Sequence, residues 1–291
     1  MPMKYLFLFI CSFAFSQQTK FVDFKTVLGQ IQIHPAERAV SGDVFYAFQV
    51  LRSIDTIKID AHNMDFSDLT LNGKKVKFVN TQKQLQILFP FKKGKNKLTF
   101  HYLAKPKQTM YFIGSEEKDN LQIWTQGQGK NTSHWFPSFD DGNEKVIFNL
   151  DISFKNTYQV ISNGKLDVKT ELADVSTWKY RMQKPMSSYL LMVAIGKYEK
   201  KTEYSHSELP LEMYYEPKDQ SRFEPTYRYS KTMFDFLEIE IGVKYPWKVY
   251  KQVPVRDFLY AGMENTSATL FSTRYVVDSI GFEDRSYTNV N

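Results

Sequence analysis

The stretch "DVFYAFQVL", residues 43–51, decides the fold class of this chain. Its apolar side chains alternate, so Val44, Tyr46, Phe48 and Val50 fall on one face of an extended segment. The runs "VKFVN", "LQILFPF" and "NKLTFHYLA" further along the chain show the same pattern. From about residue 21 to about residue 200, this period of two predicts an antiparallel β domain of many short strands.

Turn residues separate the alternating runs at Asn72-Gly73, at Lys93-Gly94 and at Asn163-Gly164. Asn-Gly between alternating runs favours a two-residue hairpin turn, because both residues tolerate positive φ. Lys93-Gly94 lies in "FKKGKNK", the densest basic run of the chain, which we also interpret as a solvated hairpin turn. The formal charge of +6 is otherwise spread along the chain. Because a nucleic-acid site needs its cations concentrated on one face, we expect no nucleic-acid partner.

After about residue 204 the pattern changes to that of a helix. The stretch "SRFEPTYRYSKTMFDFLEIEIG" predicts a helix of about four turns, with a proline near its start and a glycine as its C-terminal stop. The residues of this pattern are Pro225 at the start, Met233, Leu237 and Ile241 on one face, and Gly242 at the stop.

The length of 291 residues suits two domains, and we expect a β domain over residues 17–205 and a second domain over residues 206–291. The first residues, "MPMKYLFLFICSFAFSQQ", combine Lys4, an apolar run and the small residues Ala14 and Ser16. This pattern predicts a secretory signal peptide over residues 1–16, too short to remain as a membrane span. We expect a secreted or periplasmic protein, with association with the cell envelope as the alternative.

The stretch "FLYAGMENTSATLFSTRY", residues 258–275, places one carboxylate, Glu264, in a probable strand. Such a residue must face water or a partner, because an unpaired buried carboxylate costs several kcal/mol. By alternation, Glu264 shares a face with Gly262, whereas Met263 and Asn265 point the other way. Taken alone, Glu264 is most simply an exposed residue on an edge strand.

Residues 261–265, "AGMEN", resemble the G-x-M-E-N exopeptidase motif of the zinc aminopeptidases of the aminopeptidase N type, peptidase family M1. Leukotriene A4 hydrolase belongs to the same family. Residues 124–145 are similar to the family's Q-x-[EQ] segment and the F-P-x-[FY]-D sequence after it. Residues 184–199 resemble the strand that closes its N-terminal domain, and the predicted helix with residues 242–255 resembles the entry to its catalytic domain. These four ordered stretches extend the resemblance over nearly all of the mature chain.

The resemblance implies a mainly β N-terminal domain, an antiparallel saddle-like sheet or sandwich, followed by the truncated α+β start of a thermolysin-like catalytic domain. It also implies that a glutamate binds the free α-amino group of a peptide substrate and that adjacent backbone pairs with the substrate chain. Two positions depart from the commonest family pattern: an alanine replaces the first glycine, and a glutamine stands where many members have glutamate. The implied substrate-binding residues are Glu264 and Gln128 as amino-group ligands, Gln126 lining the pocket, and Ala261, Gly262, Met263 and Asn265 in the motif.

The hydrolytic centre of this family is H-E-x-x-H on a helix, with zinc as the cofactor. No two histidines of this chain are separated by the three residues that this motif requires; they are His34, His62, His101, His134 and His206. We therefore expect no metal ligands within residues 1–291. The chain is interpreted as the N-terminal part of a zinc metallo-aminopeptidase, inactive by itself, whose H-E-x-x-H lies beyond Asn291.

Two alternatives stay open at this stage. The first is a non-catalytic secreted β-rich module that captures peptides or a partner protein. The second is a bifunctional epoxide hydrolase and aminopeptidase, which the neutral amide of Gln128 would suit. Under the main interpretation, the partners are peptides with free N-termini.

Overall fold

A computed structural model describes residues 18–281 of the chain. The predicted signal peptide at residues 1–16 and the last residues, 282–291, lie outside the described residues. The described part contains 21 strands and two α-helices. The elements are β1 (Val22–His34), β2 (Ala39–Val50), β3 (Ile54–Asp60), β4 (Met64–Leu71), β5 (Lys74–Lys75), β6 (Lys77–Asn80), β7 (Gln84–Phe91), β8 (Gly94–Ala104), β9 (Met110–Ile113), β10 (Gln122–Thr125), β11 (Lys145–Lys155), β12 (Gln159–Ser162), β13 (Lys165–Leu172), β14 (Val175–Arg181), β15 (Met186–Ser187), β16 (Val193–Gly196), β17 (Glu199–Tyr204), β18 (Pro210–Tyr215), α1 (Phe223–Tyr227), α2 (Ser230–Ile241), β19 (Tyr250–Val255), β20 (Gly262–Met263) and β21 (Ala268–Ser272).

The large sheet has nine strands in the order β13-β14-β11-β1-β2-β8-β4-β5, with β15 beside β11. Within the described residues its strands pair antiparallel, except that β1 and β11 run parallel. The stretch at residues 43–51 lies in β2, which pairs with β1 on one side and β8 on the other. Its apolar face, Val44, Tyr46, Phe48 and Val50, is buried. The predicted antiparallel β domain is therefore confirmed.

Two smaller sheets pack with the large one: β3-β7-β6 and β12-β16-β10-β9. One apolar cluster includes buried side chains from all three sheets. Phe24 of β1 lies at its centre, with ring centroids 4.0 Å from Phe139, 5.0 Å from Phe48 and 5.4 Å from Tyr46. Because aromatic rings bury large areas and interlock, this cluster fixes how the layers sit on each other.

Of the three predicted hairpin turns, only Asn72-Gly73 is one. It joins the paired strands β4 and β5 with φ of 52° and 78°, as a two-residue hairpin requires. Lys93-Gly94 connects β7 to β8, and Asn163-Gly164 connects β12 to β13, and each connection passes between different sheets. Those two predictions are wrong because the flanking strands bury their apolar faces in different layers. The lysines of "FKKGKNK" are exposed, as expected.

The single predicted helix is divided in two: α1, which contains Pro225, and α2, with a turn at residues 228–229 between them. At Gly242, φ is 71°, and its N–H donates to the carbonyls of Glu238 and Ile239, which confirms the predicted C-terminal stop. Met233 and Leu237 of the apolar face are 41% and 53% exposed in the described part. No described helix is both long enough and apolar enough to cross a membrane.

A five-stranded sheet, β17-β18-β19-β21-β20, follows the β domain. It packs with α1 through an apolar cluster and with α2 through the rings of Phe234 and Tyr250, whose centroids lie 5.5 Å apart. It is mixed, because β19 pairs in parallel with β18 and β21, and the outer pairs are antiparallel. With α1 and α2 it forms the expected α+β region. The two strands β17 and β18 pair antiparallel on either side of Ser205. The domain boundary near Ser205 stays a prediction.

Glu144 is a buried carboxylate, 7% exposed, and accepts a hydrogen bond of 2.9 Å from the backbone N–H of Phe24. Burial is the largest cause that raises the pKa of Glu144, from 4.5 to about 7. Between these two pH values the folded protein holds a proton that the unfolded chain has released. The folded state is therefore favoured more strongly at the acidic end of this range.

We expect the free energy of unfolding to fall as the pH rises from about 4.5 to about 7, and Glu144→Gln to remove this part of the slope. Urea unfolding of both proteins across this range measures the effect. Glu37→Gln, at an exposed position, is the control and should follow the wild type. If the free energy of unfolding depended on pH in the same way in wild type and Glu144→Gln, the raised pKa of Glu144 would be contradicted.

Candidate functional site

The short strand β20 lies at the edge of the five-stranded sheet and pairs only with β21 among the described strands. Met263 and Asn265 are 1% and 2% exposed, whereas Gly262 and Glu264 are exposed. The predicted alternation is therefore confirmed. One face of this segment is part of the core, and the face with the carboxylate is open.

Met263 is buried in a second apolar cluster, which combines side chains of the four-stranded and the five-stranded sheets. Trp124 of β10 contributes to it, with its ring centroid 5.1 Å from that of Phe258, and its indole N–H donates to the Arg256 carbonyl at 3.0 Å. Burying a methionine side chain stabilises by about 1.5–3 kcal/mol. Since Met263 is held inside, its neighbours Gly262 and Glu264 must face outward.

The loop after β10 carries the two predicted glutamines. Gln126 is buried, and its Oε1 accepts the backbone N–H of Gln128 at 2.9 Å, whereas the side chain of Gln128 is exposed. The Nε2 of Gln126 and the Oδ1 of Asn265 are buried and have no hydrogen-bond partner among the described residues. Buried polar atoms in native proteins are nearly always paired, with protein groups or with ordered water.

Both predicted segments contact the same 3₁₀ turn, Ser188–Leu190. A Cβ at Gly127 would lie 2.8 Å from the carbonyl oxygen of Tyr189, and the Thr132 hydroxyl donates to the Ser188 carbonyl at 2.9 Å. From the other segment, Asn265 Nδ2 donates to the Leu190 carbonyl at 3.3 Å. The fold thus brings residues 126–128 and 261–265, distant in sequence, to consecutive carbonyls of one turn.

A cavity of about 540 Å³ adjoins β20, and Ala261 and Gly262 line it. Glu264 is not in its wall. The other lining residues are Thr226, Tyr227, Ser230, Met233, Gln252, Thr269, Phe271, Tyr275 and Val277. A second, more apolar cavity of about 530 Å³ lies beside it along α2, shares Ser230, Met233 and Gln252 with it, and includes neither Ala261 nor Glu264.

The fold itself does not require a glycine at position 262. A Cβ there would come no closer than 3.4 Å to the Leu270 carbonyl oxygen, and Gly262 is not among the glycines with positive φ. The space that a side chain would fill is therefore left open on the exposed face of β20. That opening is what a backbone approaching the edge strand would need.

Glu264 is exposed, and within residues 18–281 no hydrogen bond or ion pair engages its carboxylate. An exposed carboxylate of this kind is available to a cation from outside. The structure brings its segment and the glutamine loop to one turn. The roles of Glu264, Gln128, Gln126, Ala261, Gly262, Met263 and Asn265 stay predictions.

No group of three or more His, Cys, Asp or Glu residues in the described part is placed to hold a metal ion. His62 and His134 do stack, with ring centroids 4.3 Å apart, and burial followed by the charge of His62 lowers the pKa of His134. The side chains present therefore do not fit a zinc site, and no reaction step can be assigned to zinc from them.

Sequence reasoning missed a buried polar contact beside the site. Asn163, expected in a hairpin turn, donates to the carbonyl of Thr266 at 2.7 Å. The only sequence signal was the Asn-Gly pair itself, which indicates a turn but not what the turn touches.

Residues 28–190 match the family model of the Peptidase M1 N-terminal domain. This chain belongs to the peptidase M1 family. The matched region of this M1 chain contains Gln126 and Gln128 and ends before residues 261–265.

Among relatives, the M1 chain is 28% identical to the glutamyl aminopeptidases of Bos taurus over 131 residues and Homo sapiens over 132 residues. These matches cover 45% of the chain and 14% of each relative. It is 24% identical to Tricorn protease-interacting factor F2 of Thermoplasma acidophilum over 217 residues, 74% of the chain and 27% of that protein. The chain thus spans a minor part of the length of these relatives.

We expect Gly127→Ala to destabilise this M1 chain by about 1–3 kcal/mol, because the added methyl group collides with the Thr132 hydroxyl and the Tyr189 carbonyl. Urea unfolding measures the change. Gly142→Ala is the matched control, because a Cβ there meets no atom within 4 Å. Equal stability of the two variants would show that residues 126–128 do not pack on the turn.

Proposed function

We propose that this chain supplies the substrate amino-group-binding part of a zinc metallo-aminopeptidase that removes N-terminal residues from peptides. Glu264 would bind the free α-ammonium group and Gln128 would be the second ligand. The observation that carries the proposal is the fixed alternation at β20, which buries Met263 and Asn265 and leaves Glu264 exposed. Membership of the M1 family and aminopeptidase relatives support it.

A carboxylate that binds an ammonium group selects for a free N-terminus. A charge-assisted hydrogen bond is roughly twice as strong as a neutral one, and an internal peptide N–H offers no charge. This difference would distinguish chain ends from chain interiors. Because Gln128 is neutral, recognition of the charge would rest mainly on Glu264.

The edge position of β20 suits strand addition by the substrate. The Ser272 N–H donates to the Ala261 carbonyl at 3.0 Å, and Gly262 lies opposite Phe271. Since bonded and non-bonded pairs alternate along an antiparallel ladder, the N–H and C=O of Gly262 face the open edge. A peptide could pair there by main-chain hydrogen bonds.

In the proposed enzyme, a bound zinc ion would supply the activation of the scissile bond and of the attacking water. The zinc ligands would come from outside the described residues. The half-exposed apolar side of α2 supports the idea that further protein completes the enzyme, because a large exposed apolar face normally contacts other protein. The pattern of residues 1–16 favours a secreted or periplasmic location, or association with the cell envelope.

In the full-length protein, we expect Glu264→Gln to lower kcat/KM for aminoacyl anilides by about 2–4 kcal/mol, roughly 30-fold to 1000-fold. The amide keeps the shape of the side chain and removes the charge that binds the ammonium group. Glu203→Gln, at another exposed glutamate, is the matched control and should leave kcat/KM unchanged. An unchanged kcat/KM in Glu264→Gln would remove Glu264 from the site.

We expect the 291-residue chain to show no zinc-dependent turnover of an aminoacyl anilide, since its histidines lack the H-E-x-x-H spacing. Full-length protein assayed in parallel is the positive control, and an N-acetylated substrate should not be cleaved by it. Zinc-dependent turnover by the 291-residue chain would refute the proposal that the zinc ligands lie outside it. Turnover of a lipid epoxide but not of anilides by the full-length protein would refute the aminopeptidase proposal.

A further inference from the structure

The connection between β12 and β13 carries a side chain whose hydrogen bonds reach two other parts of the chain. Asn163 is 3% exposed. Its Oδ1 accepts the N–H of Met192 at 2.7 Å, and its Nδ2 donates to the carbonyls of Leu190 at 2.9 Å and Thr266 at 2.7 Å. The Leu190 carbonyl is also the acceptor for Asn265. One amide thus links the Ser188–Leu190 turn to the segment that follows Glu264.

Gly164 adds a second contact to the same segment. Its N–H donates to the hydroxyl of Ser267 at 2.7 Å. Its φ is 75°, and a Cβ would collide with the carbonyl oxygen of Arg181. Both the conformation and the space therefore require glycine at this position.

Lys251 of β19 holds the turn from the other side. It is 1% exposed, and its Nζ donates to the carbonyls of Ser162, at 2.7 Å, and Gly164, and lies 4.7 Å from the centroid of the Tyr180 ring. Burial lowers the pKa of Lys251 to about 7. Burying an amine costs free energy. Here the carbonyls of Ser162 and Gly164 and the ring of Tyr180 offset that cost, and they can do so only if the turn stays beside Lys251.

Ser267 connects the contacts of Gly164 and Lys251 to the segment that follows Glu264. Its φ is 63°, a left-handed conformation that a residue with a side chain rarely adopts without support. The support is visible: its hydroxyl accepts from Gly164, and its carbonyl accepts the backbone N–H of Lys251 at 3.0 Å. A strained conformation persists when its surroundings over-determine it, and such positions cluster at functional sites.

We propose that the Asn163-Gly164 turn is a positioning element for substrate binding: it holds residues 265–267, and through them Glu264, in register with the glutamine loop. This inference rests on the proposed function of Glu264. The turn touches no substrate and acts through Thr266 and Ser267. Without it, the carboxylate would remain next to the edge strand β20, but its segment would lose its fixed place beside the Ser188–Leu190 turn.

Hydrogen exchange followed by mass spectrometry on the 291-residue chain tests the positioning directly. We expect Asn163→Ala and Ser267→Ala to speed exchange in peptides covering residues 261–268 by about tenfold, because each removes buried hydrogen bonds to this segment. Peptides covering β2 and β8 should keep their wild-type rates. Ser267→Ala deletes a single hydroxyl, so the test does not depend on whether Asn163→Ala folds.

Asn72→Ala is the matched control, because Asn72 is the same residue in the same dipeptide at an exposed hairpin. It should leave exchange at residues 261–268 unchanged. Unchanged exchange there in Asn163→Ala and Ser267→Ala would overturn the proposal. A uniform increase in all peptides would also overturn it, since that would be a global loss of stability.

Kinetics of the full-length protein supply the functional arm. We expect Ser267→Ala to raise KM for aminoacyl anilides by about tenfold, with kcat within about twofold, because the binding carboxylate is misplaced while the hydrolytic groups are untouched. A fall in kcat at constant KM would contradict this role. If the wild-type full-length protein cleaves no anilide, the proposed function fails, whereas the exchange experiment still decides whether the turn holds the segment.

Discussion

The site depends on the burial of Met263 in an apolar cluster that two sheets share. The four-stranded sheet contributes Trp124 and the five-stranded sheet contributes Leu270 to the same cluster. Because side chains on a strand alternate, one anchored methionine determines which way its neighbours point. The outward direction of Glu264 is therefore a by-product of core packing, and the same core joins the two regions that carry the predicted binding residues.

The large sheet and its partner layers act as a scaffold for loops. The glutamine loop leaves the end of β10, and the Ser188–Leu190 turn lies just before β16. Functional groups are often carried by loops that a rigid frame holds in place. In this M1 chain the frame covers the matched domain, residues 28–190, and the carboxylate comes from the region after it.

Local patterns in the sequence predicted what local forces determine. The period of two at residues 43–51 identified a buried strand, and the αL position of Gly242 ended the helix where a glycine was expected. The alternation around Glu264 was also readable, since it needs only the strand period. The resemblance to the M1 motifs led to the predicted binding residues, which no periodicity marks as special.

What the sequence could not show is which strands share a sheet. Asn163-Gly164 and Asn72-Gly73 look alike, yet one joins two layers and the other closes a hairpin. The partners of Asn163 lie at Leu190, Met192 and Thr266, and no local signal relates them. Long-range polar contacts of this kind arise from the topology, so they become visible only in three dimensions.

The two Asn-Gly pairs should also differ in chemical lifetime. Asparagine before glycine is prone to deamidation, because the glycine nitrogen attacks the side-chain carbonyl and closes a succinimide ring. At Gly164 that nitrogen donates to Ser267, and the buried side-chain amide of Asn163 makes three hydrogen bonds. Asn72 is exposed at a hairpin tip, where its side chain bonds Asn96 and the backbone N–H of Lys97. Deamidation should therefore begin at Asn72 and occur more slowly at Asn163, so the turn that contacts residues 266 and 267 should outlast the exposed hairpin.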